Sequence, residues 1–164
     1  MAIRLPPINE ESRRLALEFF ELFARAEYAL KECGWLRNQN GAPTVEWWKY
    51  AERTNEAFGK LVNETPTLQN ALQQLKENPP RVQRVVKSRL EWRSLNLAPD
   101  VSDTQKATDY LQTMRNNLFH GGKLGTAGWR NQERTLKLLA PALVVLENLI
   151  RADQDILAYV EGRR

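Results

Sequence analysis

Residues able to do chemistry concentrate in one stretch of this chain of 164 residues, Arg115-Asn116-Asn117-Leu118-Phe119-His120-Gly121-Gly122-Lys123. It holds the only histidine. An unperturbed imidazole titrates near neutral pH, so His120 is the natural general acid or base. Arg115 is permanently charged, and its planar guanidinium can hold two phosphate oxygens at once. An amide, Asn116, follows it, and two glycines and a lysine close the stretch. These residue types suit proton transfer beside a held phosphate. They also suit a plain helix terminus, where the dipole favours histidine and lysine and glycine is favoured just beyond. Composition alone favours the terminus.

The apolar residues leading into this stretch, Ala107, Tyr110, Leu111, Met114 and Leu118, recur at helical spacing. Ser102 or Asp103 should start that helix, and Gly121-Gly122 should end it after His120. Consecutive residues turn by about 100° on an ideal helix. With Met114 at the centre of the packed stripe, Arg115 lies about 100° to one side and His120 about 120° to the other. Phe119 and Asn116 point away from the stripe. Arg115 and His120 thus flank the packed face, and the stranded Phe119 asks for a partner surface that a second subunit would supply.

The remaining elements also read as helices. Ile8 to Cys33 predicts a long one, with Asn9 as N-cap, Glu10 and Glu11 at its positive end and Gly34 as its stop. Leu15, Phe19, Leu22, Phe23, Ala26, Leu30 and Cys33 form its main stripe, and Leu17, Phe20, Ala24 and Tyr28 a weaker second one. A helix with two apolar faces is central in its bundle or covered by another chain. Trp35 to Pro43 predicts a polar loop. Thr44 should cap a helix over Val45 to Asn63, and Thr67 one over Leu68 to Glu77, broken by Asn78-Pro79-Pro80. Arg81 to Leu97 suits a helix, although Val82 to Val86 could be a short extended segment. The last helix should run from near Trp129–Gln132 to about Val160, bent or divided at Pro141. No run alternates convincingly at period two. The expectation is an all-α, single-domain bundle of five to six helices spanning 1–164.

Bulk properties bound the function classes. Hydrophobic residues make up 42% and charged residues 27%, ordinary for a soluble globular protein. No apolar stretch approaches the roughly 20 residues that span a bilayer, and the first residues lack the apolar core of a signal peptide. Membrane partners are therefore not expected. The single cysteine, Cys33, cannot form an internal disulfide, which fits a reducing cytoplasm. One histidine and one cysteine make no zinc cluster, so neither metal nor cofactor is implied. The net charge of +4 is compatible with a polyanionic partner. It is unevenly spread: between Arg81 and Arg93 stand five cations (Arg81, Arg84, Lys87, Arg89, Arg93) and one anion, Glu91. That segment carries the whole excess, either as a solvated face or as a phosphate-contacting one. The segment Lys123 to Gly128 is glycine-rich but lacks the phosphate-loop pattern.

The motif resembles the Rx4–6H signature of the HEPN superfamily (higher eukaryotes and prokaryotes nucleotide-binding domains), in which a polar residue commonly follows the arginine, as Asn116 does here. The full string from Arg115 to Lys123 is far more specific than the bare signature. Two further pieces are similar to one prokaryotic branch: Phe23-Ala24-Arg25-Ala26-Glu27-Tyr28-Ala29-Leu30-Lys31 with the following Gly34 and Trp35, and Arg134-Thr135-Leu136-Lys137-Leu138-Leu139, where relatives often carry an acid at the position of Thr135. The resemblance covers about 19–36 and 110–149. It implies a helical bundle that dimerises with its motif helices facing, forming one composite site. Many members are metal-independent endoribonucleases, some acting as toxins or phage-defence effectors.

On that footing His120 would act as general base or acid on the RNA 2′-hydroxyl and the leaving 5′-oxygen, with a dimer supplying one of each. Arg115 would hold the phosphate, and Asn116 would orient His120 or a phosphate oxygen. Lys123 and Asn117 would bind substrate. Glu27 would support the site by orienting Arg115 or His120; its plainer role is an ion pair between helices, with Lys31 or Arg115. The partners implied are RNA, a second copy of the chain, and an antitoxin or defence component. The competing expectation is a non-catalytic HEPN module that binds RNA, nucleotide or a protein. A toxin controlled by tyrosine modification resembles Rx4HxY, and Gly122 disfavours it.

Overall fold

Residues 9–119 and 132–164 are described in a computed structural model of the chain. Helix α1 (Glu10–Glu32) opens where expected: the Asn9 side chain accepts from the Ser12 amide at 3.1 Å. It closes in a Schellman turn, with Trp35 N–H donating to the Leu30 carbonyl and Gly34 N–H to that of Lys31. Gly34 makes this possible by adopting φ +87°.

The next segment departs from the expected polar loop. It is a β-hairpin of β1 (Leu36–Gln39) and β2 (Ala42–Val45). The two-residue turn is Asn40-Gly41, both at positive φ, with the Asn38 side chain accepting from Gly41 N–H at 2.7 Å. Asn-Gly is the favoured pair for a turn whose twist matches its strands. Thr44, expected as a helix cap, instead sits in β2 and accepts from Arg37 at 3.3 Å. Helix α2 (Trp47–Glu64) follows, and Pro66 occupies the first turn of α3 (Pro66–Glu77), where its missing N–H costs nothing.

A second hairpin replaces the helix expected over 81–97. Strands β3 (Arg81–Val86) and β4 (Arg89–Ser94) pair in antiparallel register from Arg81 opposite Ser94 to Val86 opposite Arg89. The extended alternative for Val82 to Val86 is the one adopted, as three valines in that run favour. The chain is therefore predominantly helical rather than purely α. Among the described residues it has six helices and two small antiparallel sheets.

Helix α4 (Asp103–Phe119) starts in a capping box, the Ser102 and Gln105 side chains each accepting from the other's backbone N–H at 3.2 Å. Helix α5 (Gln132–Arg151) runs unbroken through Pro141. The division falls later, at Asp153, whose side chain caps α6 (Gln154–Val160) by accepting from the Asp155 and Ile156 amides. Capping supplies a positive reason to restart there, whereas Pro141 removes only one hydrogen bond from a helix held by packing.

Helix α5 is the spine of the core. Ala142, Val145, Leu146 and Leu149 are completely or almost completely buried, and α5 packs on α1 and α3 while α2 packs on α4. Tyr50 of α2 donates its hydroxyl to the Leu149 carbonyl at 3.1 Å. Burial pushes that phenol far above its ordinary pKa, so it remains a donor. The main stripe of α1 lies in this core, but Leu17, Phe20, Ala24 and Tyr28 stay exposed. No helix among the described residues is long and apolar enough to cross a membrane.

Candidate active site

Helix α4 positions the motif. Ala107, Leu111 and Met114 are buried in the core, which leaves Arg115 half-buried at the flank and Asn116 exposed, as the helical angles require. His120, Gly121, Gly122 and Lys123 lie outside the described residues, as does the side chain of Thr135.

Three neighbours hold the Arg115 guanidinium. Its Nη2 lies 3.5 Å from a carboxylate oxygen of Glu27 on α1. Its Nη1 donates to the Asn116 side-chain oxygen at 3.1 Å. Its carbon stands 5.0 Å from the centroid of the Phe119 ring, a cation–π distance. Both members of the ion pair are partly shielded from solvent, so the pair is screened less than a surface one. Glu27 thus contacts Arg115 across two helices, a contact common to both roles open to it.

Phe119 finds a partner within the chain. Its ring centroid is 4.7 Å from that of Phe20, yet Phe119 remains 49% exposed and Phe20 42%. The pair adjoins the exposed stripe of α1, so an apolar surface continues from Phe20 to the foot of Arg115.

Arg115 and Asn116 line a polar cleft of about 440 Å³. The cleft also takes in Glu27 and Lys31 from α1, Arg37 from β1 and Gln112 from α4. It thus gathers two further cations and one carboxylate around the motif arginine. The sequence points to Lys31 only as an ion-pair partner and to neither Arg37 nor Gln112. Gln112 stands one helical turn before Asn116, a signal that was legible; Arg37 reaches the cleft only through the unexpected hairpin.

Asn117 turns into the structure. It is buried, and its amide donates to the Arg81 carbonyl at 2.8 Å, fastening the root of β3 to the motif helix. Asn116 and Asn117 border a second cleft of about 270 Å³ with Thr113 and the start of β3, including Arg84. Among the described residues no group of three histidine, cysteine or carboxylate side chains is arranged to hold a metal ion.

No protein-family model, curated protein or solved structure matches the chain.

Proposed function

We propose that the chain is a HEPN-type, metal-independent endoribonuclease whose site is completed by a second copy. The observation that carries this reading is the held guanidinium of Arg115 at the edge of a cleft that also gathers Lys31 and Arg37. An arginine oriented by a carboxylate and an amide is ready to take two oxygens of a phosphodiester without first ordering its own side chain. Five residues on, His120 supplies the proton transfer.

In the reaction one imidazole takes the proton of the RNA 2′-hydroxyl. The freed oxygen attacks the adjacent phosphorus, and the bond from phosphorus to the 5′-oxygen breaks. The second imidazole, from the other copy, gives the leaving oxygen its proton. Arg115 stabilises the added charge on the phosphorane oxygens. The products are a 2′,3′-cyclic phosphate and a 5′-hydroxyl.

The copies would meet through the apolar surface formed by Phe119, Phe20 and the exposed stripe of α1, which borders Arg115. Such a protein suits a toxin or defence effector, restrained by a partner until needed. The test is cleavage of varied single-stranded RNAs by purified protein in the presence of EDTA. Wild type should cleave, and His120→Ala and Arg115→Ala should each lose about 10²–10⁴-fold in rate. Cleavage retained by both variants would remove the mechanism. Wild-type protein that binds RNA without cutting it would favour the non-catalytic binding module.

A further inference from the structure

The β3–β4 hairpin is not explained by the core. Among the described elements its main packing is of β3 against α4, and Val85 is 77% exposed at its far end. Two strands of six residues extend about 20 Å. A solvated hairpin with no partner would be expected to carry polar residues on both faces. This one does not.

The register sorts its side chains into two unlike faces. Val85 stands opposite Leu90, and Gln83 opposite Trp92, on one face. Val85, Leu90 and Trp92 are all exposed. On the other face Arg84 stands opposite Glu91, Val86 opposite Arg89 and Val82 opposite Arg93. Glu91 pairs with Arg93 at 2.6 Å, and among the described residues Arg84 and Arg89 have no carboxylate partner; Lys87 adds its charge at the turn. With five cations and one carboxylate, the segment accounts for the entire net charge of +4, so the rest of the chain is neutral overall.

We propose that this hairpin is a binding arm for single-stranded RNA, its arginines taking phosphates and its Trp92 face taking unstacked bases. Cations on one face of a narrow two-stranded arm and an exposed aromatic on the other are the two components such binding needs where a strand wraps the arm's edge, because phosphates are attracted without regard to sequence and every base has a face that can stack. An apolar protein partner would be served by Val85, Leu90 and Trp92 but has no use for the unpaired arginines behind them. The arm also leads to the motif. Asn117 of α4 holds its root through the Arg81 carbonyl, and Arg84 borders the same cleft as Asn116. A strand lying on the hairpin is thereby delivered to Arg115. The choice of RNA over other polyanions rests on the ribonuclease reading; the arm itself does not require cleavage.

The test measures binding apart from cutting. Full-length protein is titrated, by fluorescence anisotropy, into a labelled single-stranded 2′-O-methyl oligonucleotide of mixed sequence, which lacks the attacking hydroxyl. The variants are Arg84→Gln with Arg89→Gln, and Trp92→Ala, each checked for retained helix content and for mass. The paired arginine variant should bind at least tenfold more weakly, with the salt dependence of log K reduced by about 0.7 per lost phosphate contact. Trp92→Ala should bind about 5- to 100-fold more weakly. Failure of wild type to bind, or unchanged binding by both variants, overturns the proposal. A change in mass that accounts for the lost affinity also overturns it, and marks the hairpin as a contact between protein chains. Hairpin-dependent binding without cleavage of ordinary RNA would retain the arm while removing the ribonuclease.

Discussion

Arg115 is held by one residue distant in sequence and two near it. Glu27 lies on α1 and Phe119 one turn further along α4, and together with Asn116 they fix a side chain that would otherwise sample many rotamers. The motif was legible from residue types and helical spacing, and Glu27 as its neighbour only through the family resemblance. Asn117 was harder: its angle puts it at the edge of the packed stripe, but its amide invites a substrate role, and burial against Arg81 is visible only once β3 is in place. Another residue of the same helix carries a pH signature. Burial pushes the Asp109 carboxyl above its ordinary value, and among the described residues no ion pair compensates. Ionised Asp109 therefore costs stability at neutral pH. The stabilising protonated form is complete below the unfolded pKa and lost as pH rises through the folded one. Asp109→Asn should raise Tm at pH 7, with the gain shrinking as pH falls through the carboxylate range and gone below about pH 4. Thermal melts across that range check this, and a gain independent of pH would contradict it.

The helices were readable because caps, stripes and stops agree. Asn9, Gly34 and Ser102 all act where their chemistry suggests. The hairpins were not, for two different reasons. All four residues of β1 are exposed, so no period of two marks the strand, although Asn40-Gly41 is itself a turn signal. In the second hairpin both turn residues, Lys87 and Ser88, have positive φ, at 47° and 62°. Neither residue type advertises that conformation, so the turn is strained as well as hidden. Ser88→Gly should relieve the strain and stabilise the hairpin by about 0.5–1 kcal/mol. The expected readout is amide exchange slowed a few-fold across 81–94, with exchange in α5 unchanged. Faster exchange in the hairpin would mean that Ser88 contributes something the turn geometry does not reveal.

Besides the hairpin face, the described residues leave an apolar surface uncovered on the helical body, from Leu17 through Phe20 to Tyr28 on α1 and across to Phe119. Pairing of two copies there would bring both Arg115 side chains to one cleft and satisfy the second stripe that made α1 unusual in the sequence. A solution mass of twice the 19.0 kDa chain is expected, and Phe20→Glu with Tyr28→Glu should yield folded monomers that cleave at least tenfold more slowly. A monomeric wild type with full activity would contradict the shared site. The most direct measurement is the identity of the RNA ends formed by wild-type protein in EDTA. The account requires a 2′,3′-cyclic phosphate and a 5′-hydroxyl, with no cut where the scissile nucleotide is 2′-deoxy. Products ending in a 5′-phosphate, or cleavage at a 2′-deoxy position, would contradict it.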